Sequence, residues 1–413
     1  NVISPNLPAF RLHPARIASA KGEVLSANSV LTVMVDNNNC LWVGKDSGLL
    51  EMYDCDRLVD SFSKEKGSLP GSIVQASYKD AGGTLWFGFF NEGACRYDNV
   101  SGKFETVFPA SGGVDVRDIT SDNYGKILFG SSIGVWRYDT ATKSMEGPFD
   151  VGNNLVRSVF TLSDDTFLIG TFGAGLIVTD KNFKEIRRYD VNSGIPSNTV
   201  NHIFRTRDNR ILVATGEGLL CFDDIMGAPD KINIINRTSG LGNSHILAIA
   251  QDRSGCIWLS TNGGISCLRN GEVYNYTHRD NVPIGNFLGR SVATDRQGNI
   301  YFGAISGLCV FNPSKVLEKV ATPIPMIVEL LLLSNSAEGV DGDVDIQVTG
   351  KSEIRLNAGQ NSFDVLFSSR NFALAGEVEY EYMLEGVVDR WVMPRNVNVA
   401  TFRDLSPGTY VFK

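Results

Sequence analysis

The sequence predicts an all-β protein: a seven-bladed β-propeller followed by an immunoglobulin-like β-sandwich. The first observation is a short apolar segment that ends in a small residue and occurs seven times. Its copies are LWVG at 41, LWFG at 85, ILFG at 127, FLIG at 167, ILVA at 211, IWLS at 257 and IYFG at 300. Successive copies start 40 to 46 residues apart, a period typical of a four-stranded blade repeated around an axis.

The second observation is the loss of this period after Pro323 and Pro325. Short alternating segments with turn residues between them follow, as in a β-sandwich of immunoglobulin type. In LSPGTY, Tyr410 follows a tight turn and has the pattern of a tyrosine corner. We therefore expect the propeller over residues 1–320 and the sandwich over residues 321–413, with the sandwich incomplete at its C-terminal end.

Each repeat divides into four strands. In the first repeat, VLTVMVD is an alternating strand, NNN a turn, CLWVG a second strand, LLEMYD a third and RLVDSFS a fourth. The turn between the first two strands recurs as DAGG, DNYG, DRSG and DRQG, led by Asp and closed by Gly as turn chemistry prefers. Trp42, Trp86 and Trp258 share one register, where we expect each ring to fill the gap between neighbouring blades.

The last repeat runs out at GLCVFNPSKV without a fourth strand. Residues about 8–14, with the sequence PAFRLHP at 8–14, precede the first blade and supply the missing strand in our interpretation. Such closure removes two open sheet edges. Trimming the first fifteen or so residues is therefore expected to destabilise the ring.

Composition excludes several functions. The chain has 413 residues, a formal net charge of -8 and no cluster of Lys and Arg, which argues against a nucleic-acid-binding surface. It has no apolar run long enough to span a bilayer. The seven cysteines show no CxxC pair and no zinc-type His/Cys spacing, so we expect no metal and no cofactor. Cys40 and Cys55 flank a predicted hairpin, and a disulfide between them is one hypothesis.

A candidate binding site follows from aligning the blades on their second strands. One register near the start of each innermost strand carries Leu31, Gln75, Arg117, Arg157, Asn201, Leu247 and Arg290. These positions converge at one mouth of the channel. The guanidinium groups of the three arginines and the amides of Gln75 and Asn201 suit the carboxylates, sulfates or hydroxyls of an oligosaccharide. The alternative is that the arginines pair with Asp115, Asp118 or loop carboxylates.

A second candidate is the turn GFFNEG, in which Phe89 and Phe90 replace small residues of other copies. Aromatic faces at a loop tip stack on sugar rings, and Asn91 and Glu92 accept hydrogen bonds from hydroxyls. Phe172 occupies the corresponding turn two blades later. The alternative is that Phe89 or Phe90 packs against another domain or a second protomer.

Two other classes of function stay open. A propeller lyase or glycosidase needs an acid or base, and His202, His245 and Glu217 are the residues near the channel mouth that would supply it. A protein-binding scaffold needs neither catalytic groups nor a sugar site. We do not expect this chain to be an enzyme.

The segments DAGGTLWFGFFNEGACRYD and DRSGCIWLSTNGGISCL resemble the two-component regulator propeller, and the tail from YEYMLEG to PGTYVFK resembles the Y_Y_Y domain. The resemblance implies the periplasmic sensor region of a hybrid two-component histidine kinase of glycan-degrading bacteria, with sugar fragments as the signal. It further implies a homodimer tethered to the inner membrane in the full-length protein, with phosphorelay and transcription control in parts absent from this chain. The family usually carries two propellers, so we expect this one to be the second.

Overall fold

A computed structural model of the chain describes residues 9–13, 29–108, 113–152, 155–227, 232–283, 285–316, 325–332, 344–347, 353–357, 359–369, 380–393 and 398–413. The chain divides into two compact units, one over Pro8–Leu317 and one that contains Glu318–Lys413.

The larger unit contains seven four-stranded antiparallel sheets, each with its strands in consecutive order apart from the last. The first three sheets comprise β2 (Val30–Val35), β3 (Leu41–Lys45), β4 (Leu50–Asp54) and β5 (Arg57–Phe62); β6 (Val74–Lys79), β7 (Leu85–Phe89), β8 (Ala94–Asp98) and β9 (Lys103–Phe108); and β10 (Val116–Ser121), β11 (Ile127–Ser131), β12 (Gly134–Asp139) and β13 (Ser144–Phe149).

The next three sheets follow the same order. They comprise β14 (Val156–Ser163), β15 (Thr166–Thr171), β16 (Leu176–Asp180) and β17 (Glu185–Tyr189); β18 (Val200–Arg205), β19 (Ile211–Thr215), β20 (Gly218–Phe222) and β21 (Asn233–Ile235); and β22 (Ile246–Gln251), β23 (Ile257–Thr261), β24 (Gly264–Arg269) and β25 (Glu272–Tyr276). The predicted seven-bladed propeller is confirmed.

The seventh blade is completed from the beginning of the chain. It contains β26 (Phe287–Thr294), β27 (Ile300–Ala304) and β28 (Gly307–Phe311), and its outermost strand is β1 (Phe10–His13). Phe10 pairs with Phe311, and its ring is 1% exposed, 4.8 Å from that of Phe311 between ring centroids. Residues 8 and 14 of the predicted closing segment lie outside the described residues.

The small residue that ends each apolar segment has a packing reason. A Cβ added to Gly88 would lie 2.5 Å from Cγ1 of Val116, and one added to Gly170 would lie 2.5 Å from Cγ1 of Val200. Both valines begin the innermost strand of the next blade. Neighbouring innermost strands contact one another around the whole ring, and β2 contacts β26 to close it. The repeat therefore encodes close approach of one blade to the next.

The Asp-led turns do more than reverse the chain. The Oδ2 atom of Asp80 accepts a 2.9 Å hydrogen bond from the indole Nε1 of Trp86, while its Oδ1 accepts one from the backbone of Thr84. Asp36 with Trp42 and Asp252 with Trp258 repeat this arrangement. Each tryptophan is almost fully buried, as its predicted packing role requires, and its one polar atom is satisfied by the turn.

In the described residues, three short 3-10 helices connect outer strands to the next blade. They are Val191–Ser193, Arg237–Ser239 and His278–Asp280, capped by Asp190, Asn236 and Thr277 respectively. A short helix α1 (Pro313–Val316) follows β28.

The smaller unit is also built of strands. They are β29 (Pro325–Leu332), β30 (Val344–Gln347), β31 (Phe363–Ser369), β32 (Tyr382–Glu385), β33 (Val388–Val392), β34 (Val399–Phe402) and β35 (Val411–Phe412). They form two sheets, in the orders β30-β29-β31-β34 and β33-β32-β35. Phe363, Phe402 and Leu384 pack in its core. The hydroxyl of Tyr410 donates a 2.7 Å hydrogen bond to the carbonyl of Ser406, which confirms the tyrosine corner.

Cys40 lies in the turn between β2 and β3, and Cys55 lies in the turn between β4 and β5. No disulfide joins these two residues in the structure.

Candidate functional site

One mouth of the propeller channel is defined by a backbone hydrogen bond that occurs in every blade. The residue after the second strand donates its N–H to the carbonyl of the residue just before the innermost strand of the same blade. The donors are Asp46, Phe90, Ser132, Phe172, Gly216, Asn262 and Ile305, at N···O distances of 2.9 to 3.3 Å. The turns and the strand starts therefore come together on one face, as the repeat predicts.

A cavity of about 470 Å³ opens on this face, which we call the outer cavity. Its wall includes Arg157, Phe172, Glu217, His245 and Leu288. A volume of this size lies in the range of small-molecule sites, which combine an apolar wall with a few polar groups. The outer cavity is thus large enough for a ligand of one or two sugar rings.

A second cavity, of about 100 Å³, has a mostly polar wall; we call it the inner cavity. Its wall includes Gln75, Arg117, His202 and Arg290, with Leu31 beside them. Gly289 contributes to the walls of both cavities. Six of the seven predicted channel positions are therefore divided between the two cavities, and Asn201 lines neither of them.

Two of the three channel arginines have a carboxylate partner, as the alternative interpretation anticipated. Arg117 Nη2 lies 2.6 Å from Asp115 Oδ2. Arg290 Nη1 forms an ion pair with Asp118, whose other oxygen accepts a 2.6 Å hydrogen bond from the backbone N–H of Val159. Burial lowers the pKa of Arg290 to about 9, which leaves it charged at neutral pH.

The amide of Gln75 also belongs to this network. Its Nε2 donates to the Asp115 carboxylate and, at 3.1 Å, to the carbonyl of Val116. Asp115 is almost fully buried and therefore holds two of the predicted site residues, Gln75 and Arg117, in place. These contacts make both of them part of the channel's internal structure.

Arg157 has a different environment. Its guanidinium lies 4.5 Å above the centre of the Phe172 ring, and Nη1 donates a 2.6 Å hydrogen bond to Oδ1 of Asn201. Asn201 is buried, and its Nδ2 donates to the carbonyl of Ile246 at 2.7 Å. Burial first, and then the charge of Arg117, lower the pKa of Arg157. Within the part of the chain that the structure describes, no carboxylate forms an ion pair with Arg157.

The two histidines near the mouth are in different cavities. His202 is 8% exposed, its Nδ1 accepts a 3.1 Å hydrogen bond from the backbone N–H of Ile249, and burial lowers its pKa to about 4. His245 lines the outer cavity, where burial and then the charge of Arg157 lower its pKa, against an opposing effect of Glu217. The cluster of His202, His245 and Glu217 expected for a lyase is therefore not assembled in one cavity.

The seventh blade departs from the others at the channel. In six blades the register of the innermost strand shifts across a single residue, as between Val30 and Thr32, whereas in β26 the irregularity extends from Phe287 to Val292. Arg290 lies in this longer bulge with a φ of 59°, a left-handed conformation that is uncommon for a residue with a side chain. The extra residues place Leu288 at the outer cavity and Arg290 at the inner one.

The aromatic turn of the second blade requires a correction. Phe89 is the last residue of β7 and is 0% exposed, with its ring packed directly against Gly71, so the expectation that it stacks on a sugar is wrong. Phe90 is 43% exposed and Asn91 is exposed beside it. Neither residue lines the outer or the inner cavity. Glu92 is already bound to Lys64 and to the backbone N–H of Ser72.

Phe172 and Leu288 line the outer cavity, but the alignment of innermost strands includes neither of them. Phe172 follows the second strand of the fourth blade, the position that Phe90 holds in the second blade, and it is 48% exposed. The available signal was a bulky aromatic residue in the glycine-rich turn TFGAG. Leu288 was missed because it lies in the extra length of β26, which a register taken from second strands does not show.

Within the described ranges, no group of three or more His, Cys, Asp or Glu side chains is placed to hold a metal ion. None of the helices in those ranges has the length and apolar character needed to cross a membrane.

A ring of blades with a cavity at its channel mouth is an architecture that serves many unrelated functions, so the fold by itself does not name one. Residues 240–263 match the two component regulator propeller, and residues 371–413 match the Y_Y_Y domain. Both matches agree with the resemblance that the sequence motifs carry.

Two known proteins are similar to nearly the whole of this chain. The extracellular domain of a putative hybrid two-component system from B. thetaiotaomicron is 33% identical, with a TM-score of 0.82 over 99% of this chain and 55% of its own. Histidine kinase P4 from Formosa agariphila is 23% identical over 96% of this chain and 30% of its own length. This chain thus spans about half of the first relative and under a third of the second.

A third similarity concerns the fold alone. The virginiamycin B lyase of Staphylococcus aureus is 13% identical, with a TM-score of 0.55 over 73% of this chain and 98% of its own. At that identity the likeness shows a shared propeller and carries no statement about chemistry.

Proposed function

We propose that this chain is the ligand-sensing region of a hybrid two-component histidine kinase, located in the periplasm, and that its outer cavity binds a saccharide fragment. The observation that carries the proposal is the outer cavity itself. It combines an exposed aromatic ring, Phe172, with a fixed cation, Arg157, at the mouth of a closed ring of blades. The two relatives that are histidine kinase or two-component proteins support the sensor role.

The chemistry of the outer cavity suits a sugar. Phe172 and Leu288 provide an apolar wall for the C–H face of a pyranose ring, and the wall also includes the side chains of Ser197 and Thr199 as hydroxyl partners. Arg157 and His245 add polar groups that both contact Asn201 of β18, through Nη1 of Arg157 at 2.6 Å from Oδ1 and Nε2 of His245 at 3.5 Å from Nδ2. Such a wall provides both apolar contact and hydrogen-bonding groups.

Signal transfer in this proposal is a population shift. The full-length protein would be a membrane-tethered homodimer, and the ligand would favour one arrangement of its propellers over another. The Y_Y_Y domains would then pass the change toward the kinase, which lies outside this chain.

A thermal-shift screen with neutral and acidic di- and trisaccharides tests the proposal. A ligand at one hundred times its Kd stabilises the folded protein by about 2.7 kcal/mol. Leu288→Trp is expected to remove this stabilisation by filling the outer cavity. Leu58→Trp, at a 41% exposed position of the outer strand β5, is the matched control and should leave it intact.

If no saccharide stabilises the wild-type protein, or if Leu288→Trp binds as well as the Leu58→Trp control, the saccharide site is refuted. The favoured function of this chain would then be that of a protein-binding scaffold.

A further inference from the structure

Arg157 is set apart from the other two channel arginines by its lack of a counter-charge. Arg117 is paired with Asp115 and Arg290 with Asp118, and both aspartates are almost fully buried. In the described residues, the polar side-chain partner of Arg157 is the amide of Asn201, which carries no charge. Of the three channel arginines, two are thus paired with a buried carboxylate and, within the described residues, Arg157 is not.

A cation withdrawn from water without an anion is costly, because a neutral amide and an aromatic ring do not replace full hydration. The lowered pKa of Arg157 reflects this cost, and the nearby charge of Arg117 adds to it. The same guanidinium is held firmly: Phe172 lies 4.5 Å below it, and Asn201 is fixed by the carbonyl of Ile246. Arg157 is therefore a preorganised donor group with unmet charge.

Most of the donors of Arg157 remain available. A guanidinium has five N–H donors in a planar fork that matches the two oxygens of a carboxylate or sulfate. One of the five is used in the bond to Asn201. Because Arg157 lines the outer cavity, an anionic group that enters this cavity can reach it.

Two other titratable side chains, Glu217 and His245, line the outer cavity. Glu217, from the turn between β19 and β20, is exposed at the rim. His245 has a lowered pKa and is neutral at pH 7, so it offers a hydrogen-bonding nitrogen without a competing charge. An anion bound at Arg157 would thus give this guanidinium the direct carboxylate-like partner that Asp115 and Asp118 give to Arg117 and Arg290.

We infer that the ligand of the outer cavity is an acidic saccharide whose carboxylate or sulfate group binds Arg157 while a sugar ring packs near Phe172. This inference rests on the proposed function and specifies the class of ligand. The shared chemistry is a planar or tetrahedral oxyanion on a sugar, and the two sources are a uronic acid and a sulfate ester.

The binding test uses calorimetry on the whole chain with matched saccharides. The probes are a digalacturonate, its methyl ester, which keeps the shape and removes the charge, and a sulfated and an unsulfated form of one disaccharide. We expect an acidic member of either pair to bind at least tenfold more tightly than its neutral partner. Arg157→Gln should remove this preference and Arg157→Lys should retain part of it.

The matched control is Arg117→Gln, which changes the corresponding position of the neighbouring blade, where Asp115 already supplies the counter-charge. It should retain the preference for the acidic probe. Acidic and neutral probes that bind equally would overturn the inference while the saccharide function stands.

A measurement without ligand tests the premise that Arg157 lacks a counter-charge. Because Arg157 leaves no buried carboxylate behind, Arg157→Gln should match or exceed the wild type in Tm, whereas Arg117→Gln should melt lower because Asp115 loses its partner. If no saccharide binds, the proposed function fails, and the inference that rests on it fails with it. A fall in Tm for Arg157→Gln as large as that for Arg117→Gln would show that Arg157 is already compensated, and would overturn the inference.

Discussion

Arg290 and Asp118 form an ion pair in the channel between the seventh blade and the third. The carboxylate is completely buried, and the guanidinium comes from a bulge whose left-handed backbone exists in this blade alone among the seven innermost strands. This ion pair joins two blades that are not neighbours, so it links the third and seventh blades across the channel. The residues that break the sequence repeat thus include one that stabilises the ring as a whole.

Removing Arg290 should destabilise the propeller. Arg290→Gln leaves Asp118 buried without its cation, and loss of one partner of a buried pair costs about 3 kcal/mol. Chemical unfolding followed by tryptophan fluorescence measures the loss. The double variant Arg290→Gln with Asp118→Asn should recover part of it, because no buried charge then remains. A double variant less stable than the single one would contradict this account.

The acid stability of the protein should depend on His202. Its folded-state pKa of about 4 lies below the ordinary value of 6.5, so between these values the unfolded chain binds a proton that the folded protein excludes. Folding stability therefore decreases as the pH falls from 6.5 toward 4, by an amount on the order of 3 kcal/mol. In His202→Asn, whose amide oxygen can still accept from Ile249, this part of the pH dependence should disappear.

Urea unfolding at several pH values between 4 and 7 measures the effect. His278→Asn, at an exposed position of a 3-10 helix, is the control and should follow the wild-type curve. Identical pH dependence in the wild type and His202→Asn would refute the role of His202.

Much of the fold can be predicted from the sequence. The repeat period, the small residue that ends each apolar segment and the Asp-led turn each correspond to one local structural feature. The period predicts the blades, and Gly88 shows why a small residue must stand where the next blade packs. The Asp–Trp hydrogen bond was missed although its signal was present: an aspartate stands six residues before each of Trp42, Trp86 and Trp258.

The site was less readable, because it depends on contacts between distant blades. Aligning the repeats placed Arg117 and Arg157 correctly in the channel, but which arginine has a carboxylate follows from side-chain geometry across blades. Phe89 was misjudged because its unusual size at that register is accommodated by Gly71, eighteen positions away in the connection before β6. Sequence repeats show what is unusual, and packing decides whether it is exposed.

The stability of the propeller should fall when an aspartate that accepts a hydrogen bond from a tryptophan indole is replaced by asparagine. In Asp80→Asn the amide group must present a donor either to the indole of Trp86 or to the turn backbone, at a cost of about 2 kcal/mol. Asp122→Asn is the matched control, because Asp122 holds the same turn bonds but Leu128 replaces the tryptophan. Denaturation midpoints should fall clearly further for Asp80→Asn, and equal losses would contradict the contribution of the indole bond.

The first strand should be essential for the closed ring. Phe10→Ala removes a buried ring from the core shared with Phe311 and Tyr276 and should cost about 3 to 5 kcal/mol. Arg11→Ala changes the adjacent residue, whose ion pair with Asp56 is exposed on both sides, and should cost less than about 1 kcal/mol. Calorimetric melting distinguishes them; similar Tm values for both variants would show that β1 contributes little.

Phe172 and Phe90 test which aromatic turn binds ligand, because they hold equivalent positions with equivalent exposure. Each donates its backbone N–H to the segment before its innermost strand, and each is between 40% and 50% exposed, at 48% and 43%. Only Phe172 lines the outer cavity and supports Arg157. Phe172→Ala should therefore weaken the binding of an acidic disaccharide about tenfold, equivalent to about 1.4 kcal/mol, through lost stacking and a less fixed guanidinium.

Phe90→Ala should leave that affinity unchanged in the same calorimetric titration, and Phe172→Trp should restore most of what Phe172→Ala loses, since an indole face also supports a guanidinium. Loss of affinity in Phe90→Ala with none in Phe172→Ala would move the site to the second blade. Because both variants alter one exposed ring in the same kind of turn, a general effect on folding would reduce binding in both, whereas a local role separates them.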